Sequence, residues 1–230
     1  MRLSPHFVDR YDAGRRLGVA LRQYATDRPL IVLGLPRGGV PVAACVAEEL
    51  DAPLDIFVVR KLGVPGHEEV AFGAIASGGA RVLNGDVIGP LGISPLVIER
   101  VVAQEQTELE RREATYRGAR RFPVLAGETV IVVDDGAATG ASMRVAIIAL
   151  RQLGPRAIIA ALPVASRDSI RALRAVADEC VCIVAPEPFY GVGLWYEDFS
   201  ETPDGEVRVL LADARRRWNV ASPIHAGLEA

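Results

Sequence analysis

A chain of 230 residues in which 50% are apolar and 24% charged can bury a large core, which rules out a disordered protein. Its 26 lysines and arginines are matched by 29 acidic residues, a formal charge of −3, which argues against a broad basic surface built to neutralise nucleic acid. Cys45, Cys180 and Cys182 are odd in number and lack a CxxC spacing; two of them would share one strand face, so all three are expected to be reduced core residues. The N-terminus, Met-Arg-Leu-Ser-Pro-His, has no apolar signal core, and no apolar run approaches the roughly 18 residues that cross a bilayer. The expectation is a cytoplasmic chain with neither a membrane nor a nucleic acid as partner.

Residues 9–25 place Ala13, Leu17, Ala20, Leu21 and Tyr24 at helical spacing, with Asp9 as the cap. Leu30 to Gly34 is a short apolar run of the kind buried on both faces of a parallel sheet, and it ends in Leu35-Pro36-Arg37-Gly38-Gly39. A helix over 40–50 and a strand over 54–60 follow. The glycine-rich stretch 61–93 reads as a long loop or an irregular hairpin, with Ala71–Ala76 and Arg81–Leu83 as short strands. Ser94-Pro95 opens a long polar helix to about Tyr116. Then come a strand (129–133), a loop (134–140), a helix (142–153), a strand (157–164), a helix (167–177) and a strand (179–184). Such alternation demands a three-layer α/β architecture, a parallel sheet with helices on both faces, because parallel strands need long crossovers. The tail concentrates Phe189, Tyr190, Trp195, Tyr196 and Phe199 in eleven positions, and a closing helix is expected over 206–218.

The chemistry is densest at Val130-Ile131-Val132-Val133-Asp134-Asp135-Gly136-Ala137-Ala138-Thr139-Gly140-Ala141-Ser142. A buried strand delivers two carboxylates to its carboxyl end, where open α/β sheets bind ligands. Small residues from Ala138 to Ser142 then let backbone N–H groups and a helix N-terminus close on a phosphate. The carboxylates suit hydroxyl groups, directly or around a metal. A phosphate pocket beside a diol or metal pocket suggests a sugar phosphate.

This stretch resembles the thirteen-residue signature of the type I phosphoribosyltransferases, and the whole chain resembles a bacterial subgroup of that family. The resemblance implies 5-phosphoribosyl-1-pyrophosphate (PRPP) as substrate, with Asp134 and Asp135 on the ribose hydroxyls and Ala137, Ala138, Thr139, Gly140, Ala141 and Ser142 around the 5-phosphate. Pro36, Arg37, Gly38 and Gly39 resemble the family's pyrophosphate loop, and Arg60 and Lys61 its basic pair. The matching core spans about 30–185 of a single domain, 1–230, with a flexible loop at 62–93. A C-terminal hood at about 186–200 would offer Phe189, Tyr190, Trp195 and Tyr196 to a base. The reaction would transfer ribose-5-phosphate to a nitrogen acceptor, with Asp134, Asp135, Arg37 and Lys61 as the catalytic set. Magnesium (Mg2+) would be held indirectly by Asp134 and Asp135 through ribose hydroxyls or water, and a lid from 62–93, with His67, Glu68 and Glu69, would exclude water. Homodimers are common in the family, so a homodimer is expected.

One position departs from part of the family. The 6-oxopurine enzymes carry an acidic residue where this chain has Ala138, so the turn is closer to the adenine branch, and no residue identifies the acceptor base. The alternative is a PRPP-sensing regulator without catalysis, because a fold does not guarantee its chemistry. Retention of Arg37, Arg60 and Lys61 favours the enzyme. GxSxG, GxxxxGK[ST], GxGxxG and HExxH patterns are absent, and three scattered histidines make no metal cluster.

Overall fold

The computed structural model describes residues 6–221, and the side chains of residues 220 and 221 are outside that description. The signal-core reading of the first residues falls largely outside it as well. Asp9 caps helix α1 (Arg10–Ala20) by accepting the Asp12 N–H at 2.7 Å, and a short 3-10 turn, Arg22–Tyr24, takes the place of the helix's expected last turn. Strand β1 (Leu30–Gly34) and helix α2 (Gly39–Glu49) follow as the apolar patterns require.

The strand expected over 54–60 is two strands in two sheets. Strand β2 (Leu54–Ile56) pairs in parallel with β1; after Phe57 and Val58 the chain enters β3 (Val59–Val64) of an antiparallel sheet. The apolar run Ile56–Val59 spans the crossing itself, so periodicity has no mark there. The pivot is held by Ser77, whose hydroxyl accepts the Val58 N–H at 3.0 Å and whose own N–H donates to the Val58 carbonyl at 2.9 Å.

Between loop and irregular hairpin for 61–93, the chain forms the hairpin: β3, β4 (His67–Ala76) and β5 (Ala80–Leu83) make a three-stranded sheet with register shifts near Gly63. Helix α3 (Gly85–Ile88), capped by Asn84, is too short to leave a periodic signal. Ser94 caps α4 (Pro95–Arg117). Strand β6 (Thr129–Val133), helix α5 (Ala141–Arg151), strand β7 (Ala157–Val164), helix α6 (Arg167–Arg174), strand β8 (Glu179–Val184) and helix α7 (Asp204–Ala221) complete the order.

The main sheet runs β2-β1-β6-β7-β8, every pair parallel. Successive residues feed opposite faces. Val32, Ile131, Val133, Ile159 and Ala161 pack toward α1, α2 and α7, while Ile31, Leu33, Val130, Val132, Ile158 and Ala160 pack with Met143, Ala146, Ile147 and Leu150 of α5. Each large apolar side chain buried this way contributes about 1.5–3 kcal/mol. The strand order has a consequence for ligands. β1 and β6 are neighbours, Gly34 opposite Val133, but the chain leaves β1 toward β2 on one side and β6 toward β7 on the other. A crevice opens where connections diverge in this way, at the carboxyl ends of the strands.

Candidate active site

The two loops at that divergence are Leu35–Gly38 and Asp134–Gly140. The Leu35 N–H donates to the Val133 carbonyl at 2.9 Å and so continues the ladder past the strand ends. The turn then presses on the acidic pair. A Cβ at Gly39 would stand 2.7 Å from the Val133 carbonyl oxygen and 2.9 Å from Asp134 Cα, and one at Gly38 would stand 2.0 Å from Asp135 Oδ2. Only glycine permits this approach. The Pro36–Arg37 peptide in the same turn is cis.

Donors for an anion are unevenly distributed. Helices α1, α3, α4 and α6 each have a side-chain cap, whereas α2 and α5, which open at the crevice, have none. In α2, Gly39 and Val40 donate to the carbonyls of Leu35 and Arg37, and Pro41 has no N–H, so the amides of Arg37 and Gly38 are the donors left on that turn. In α5 the helix starts after Gly140 in the left-handed region (φ 68), and only a long 3.4 Å contact links the Ala141 N–H to the Thr139 hydroxyl. Its first-turn amides therefore suit an anion. The loop itself is clamped from α6: Ser166 and Ser169 both donate their hydroxyls to the Ala138 carbonyl at 2.8 Å, and Ala137 is bridged to Val164 and Ser166. Ala138, Thr139, Ala141 and Ser142 are exposed, while Ala137 and Gly140 are buried.

The carboxylates are unequal. Asp134 Oδ1 accepts the Asp135 N–H at 2.9 Å, and among the described residues Asp134 has no ion-pair partner. Burial first, and the neighbouring Asp135 charge second, push its carboxyl well above the usual carboxylate range. Asp135 is also raised by burial, but Arg10 opposes the rise: its Nε and Nη2 both lie 2.8 Å from Asp135 Oδ2. The Arg10 Nη1 donates to the Ser200 carbonyl at 2.6 Å, and its guanidinium lies 4.0 Å from the centre of the Phe199 ring. Tyr196 donates its hydroxyl to the Asp135 carbonyl at 2.6 Å, and burial pushes that hydroxyl well up. No group of three His, Cys, Asp or Glu able to hold a metal occurs among the described residues. Asp134 is half-buried and feels the Arg10 charge only at a distance, and a carboxylate without an ion pair of its own beside a paired one nevertheless fits a divalent ion reached through a ligand's hydroxyls or water.

Two of the basic residues already have carboxylate partners. Arg37 is ion-paired with Glu201, with Asp204 at 3.8 Å. Arg60 binds Glu105 of α4 at 2.6 Å, and with Lys61 and Glu105 it lines a cleft of about 440 Å³ between the β3–β4 hairpin and α4. His67, Glu68 and Glu69 are exposed at the hairpin tip. The aromatic tail divides as well. Tyr196 is only 4% exposed and packs on Phe7 and Phe199, so its ring supports the site from below and offers no stacking face. Phe189 and Trp195 are half-buried in the same cluster, and Tyr190 is 71% exposed.

Sequence reasoning missed Arg10, Ser166, Ser169, Glu201 and Asp204. Arg10 is one of several polar residues on an amphipathic helix, 125 positions from its partner. Ser166 carried the one local signal, an N-cap serine.

Residues 8–197 match the family model described as the phosphoribosyl transferase domain. The chain belongs to that family. Two Mycobacterium tuberculosis proteins that carry a provisional phosphoribosyl transferase name, MT0597 and Rv0571c, are each 42% identical to it over 223 residues, 97% of this chain. The chain spans about half the length of these curated relatives (50%). The crystal structure of TT1426 from Thermus thermophilus is similar at a TM-score of 0.78 and 40% identity, covering 90% of this chain and 98% of that one. The resemblance to the type I phosphoribosyltransferases and the α/β fold it implied are therefore correct. No helix among the described residues is long and apolar enough to cross a membrane.

Proposed function

We propose that this phosphoribosyltransferase-family chain transfers 5-phosphoribose from PRPP to a nitrogen acceptor, a nucleobase by class, with release of pyrophosphate. The observation that carries the reading is the acidic pair Asp134-Asp135 lying against the Gly38-Gly39 turn, with a helix lacking a side-chain cap after each loop. One end of the crevice accepts hydroxyls, and both loops donate to anions.

In this reading Ala137 to Ser142 and the first-turn amides of α5 hold the 5-phosphate. The Arg37 and Gly38 amides, with the Arg37 side chain, meet the pyrophosphate. Asp134 and Asp135 orient the ribose hydroxyls. As the acceptor nitrogen attacks C1, the bond to pyrophosphate breaks, and positive charge on the ring is stabilised by the nearby carboxylates while the leaving oxygens are met by fixed N–H donors. Magnesium bound with PRPP would supply charge neutralisation on the leaving group. Arg60 and Lys61 sit at the base of the β3–β4 hairpin, which is the segment proposed to close over the substrate. The base would stack near Tyr190 and Trp195.

A second reading, PRPP binding without transfer, is favoured by one observation: both arginines proposed for the leaving group, Arg37 and Arg60, are already neutralised by carboxylates. Calorimetric titration with PRPP and magnesium tests the shared part. The Asp134→Asn/Asp135→Asn double variant is expected to fold and to lose binding; unchanged binding would sink both readings. Acceptor-dependent pyrophosphate release separates them.

A further inference from the structure

The loop 134–140 is tied to α6 by its carbonyls, and the ties fix where its N–H groups go. The Ala137 carbonyl accepts the Ser166 N–H at 3.0 Å, and the Ala138 carbonyl accepts the Ser166 and Ser169 hydroxyls, each at 2.8 Å. The peptides that follow Ala137 and Ala138 are trans, so the N–H of each points opposite to its C=O. The Ala138 and Thr139 N–H groups are therefore directed away from α6, to the side on which both residues are exposed. Among the described residues neither has a backbone acceptor. Two consecutive N–H groups aimed to one side make a seat for an anion. Ala137 contributes a tie and no donor, because its own N–H is spent on the Val164 carbonyl at 3.0 Å.

Helix capping does not explain the pair of serines. Ser166 serves α6 as its N-cap by accepting the Ser169 N–H at 3.0 Å, a bond that needs no hydroxyl on Ser169. Yet Ser169, only 1% exposed, aims its hydroxyl at Ala138, and a Cβ on Gly140 would stand 3.3 Å from its own Cβ. The two hydroxyl oxygens lie 2.9 Å apart, so either proton can serve the carbonyl. We propose that Ser166 and Ser169 are positioning residues: they hold the Ala138 carbonyl back against α6, so that the Thr139 amide joins that of Ala138 in facing a phosphate monoester. That this phosphate is the substrate's 5-phosphate rests on the transferase reading above; the anion seat does not.

The test uses the full chain in two arms. With inorganic phosphate as the probe, amide NMR of the unaltered chain should show the Ala138 and Thr139 N–H signals moving downfield together, and in Ser166→Gly/Ser169→Ala the Thr139 movement should be largely lost. Glycine keeps most of the cap at 166, and alanine at 169 leaves it untouched. A Thr139 signal that stays still in the unaltered chain, or moves equally in the double variant, would overturn the proposal; the first of these needs no variant to fold. In the second arm calorimetry compares ribose 5-phosphate with pyrophosphate, both with magnesium. The double variant should bind ribose 5-phosphate about tenfold more weakly and pyrophosphate within about twofold, whereas each single variant, left with one donor, should lose no more than about threefold. Ser166→Thr/Ser169→Ala, which returns one hydroxyl and the cap, should recover ribose 5-phosphate affinity to within about threefold. Equal losses for the two ligands would show a general loosening of the loop and overturn the positioning role. Phosphate that moves both amides in a chain that binds no ribose 5-phosphate would uphold the seat while the transferase reading falls.

Discussion

Arg117, the last residue of α4, sends its Nε to both carboxylate oxygens of Asp55 in β2, at 3.1 and 3.2 Å. Both side chains are shut away from solvent, at 2% and 9% exposure, and the guanidinium also donates to Glu113 and to the Ile56 carbonyl. Burial pushes the Asp55 carboxyl up, and Arg117 opposes it. This pair pins the long helix to the edge of the sheet where the chain passes into the β3–β4 hairpin. Asp55→Val or Arg117→Met alone should cost about 3–5 kcal/mol, and the double variant less than either, because only the partly exposed Glu113 then loses its partner and no fully buried charge is stranded. Denaturant unfolding of the three variants checks the order, and a double variant worse than both singles would contradict it.

Asp134 should trade stability for binding. Its folded-state carboxyl titrates above its unfolded value, so the folded chain holds the extra proton and stability falls as pH rises from about 4 through the folded-state range. At neutral pH the charge is a net cost in the absence of ligand. Asp134→Asn is therefore expected to raise Tm by a few degrees at pH 7 and by little at pH 4, while losing PRPP binding. Thermal melts at the two pH values measure this, and a lower Tm at pH 7 would show that the carboxylate is already satisfied.

The close approach at Gly39 predicts its own effect. Gly39→Ala puts a methyl within 2.7 Å of the Val133 carbonyl and 2.9 Å of Asp134 Cα, both backbone. Neither neighbour can yield as a flexible side chain would. The expected loss is about 1–3 kcal/mol of stability, together with a tenfold or larger loss of PRPP affinity as the turn lifts off the acidic pair. Gly127→Ala, at a position with open space around it and away from both loops and the hairpin, is the comparison; it has positive φ (79), so its cost is backbone strain of about 1 kcal/mol with binding kept.

Arg37→Ala should act on rate more than on affinity. Its side chain is exposed and paired with Glu201, so removing it frees no buried charge. If it meets the leaving group, kcat should fall at least tenfold with KM for PRPP changed only a few-fold. An unchanged kcat would remove it from the site.

Much of the core was legible from local pattern. The stretch Val130–Ser142 packs a buried strand, an acidic pair, a left-handed glycine and a helix start into thirteen consecutive residues, and each is fixed by its neighbours. The Pro36–Gly39 turn was legible for the same reason. What remained hidden depends on distance in sequence. Arg10 reads as the polar face of an amphipathic helix until the fold brings it to Asp135. The passage from β2 into β3 lies within one unbroken apolar run, so a change of sheet leaves no signal. Tyr196 looked like a stacking ring because composition counts aromatics without saying which way they face; its hydroxyl found Asp135 instead.

The central claim, transfer from PRPP through the crevice between β1 and β6, is met most directly by one assay. The purified chain is incubated with PRPP, magnesium and a panel of nucleobases, and pyrophosphate release is followed against a base-free control. Release that requires one base, and that disappears in the Asp134→Asn/Asp135→Asn variant, is the predicted result. Release that proceeds equally without any base, or PRPP binding with no release at all, would contradict transfer and point to hydrolysis or to sensing.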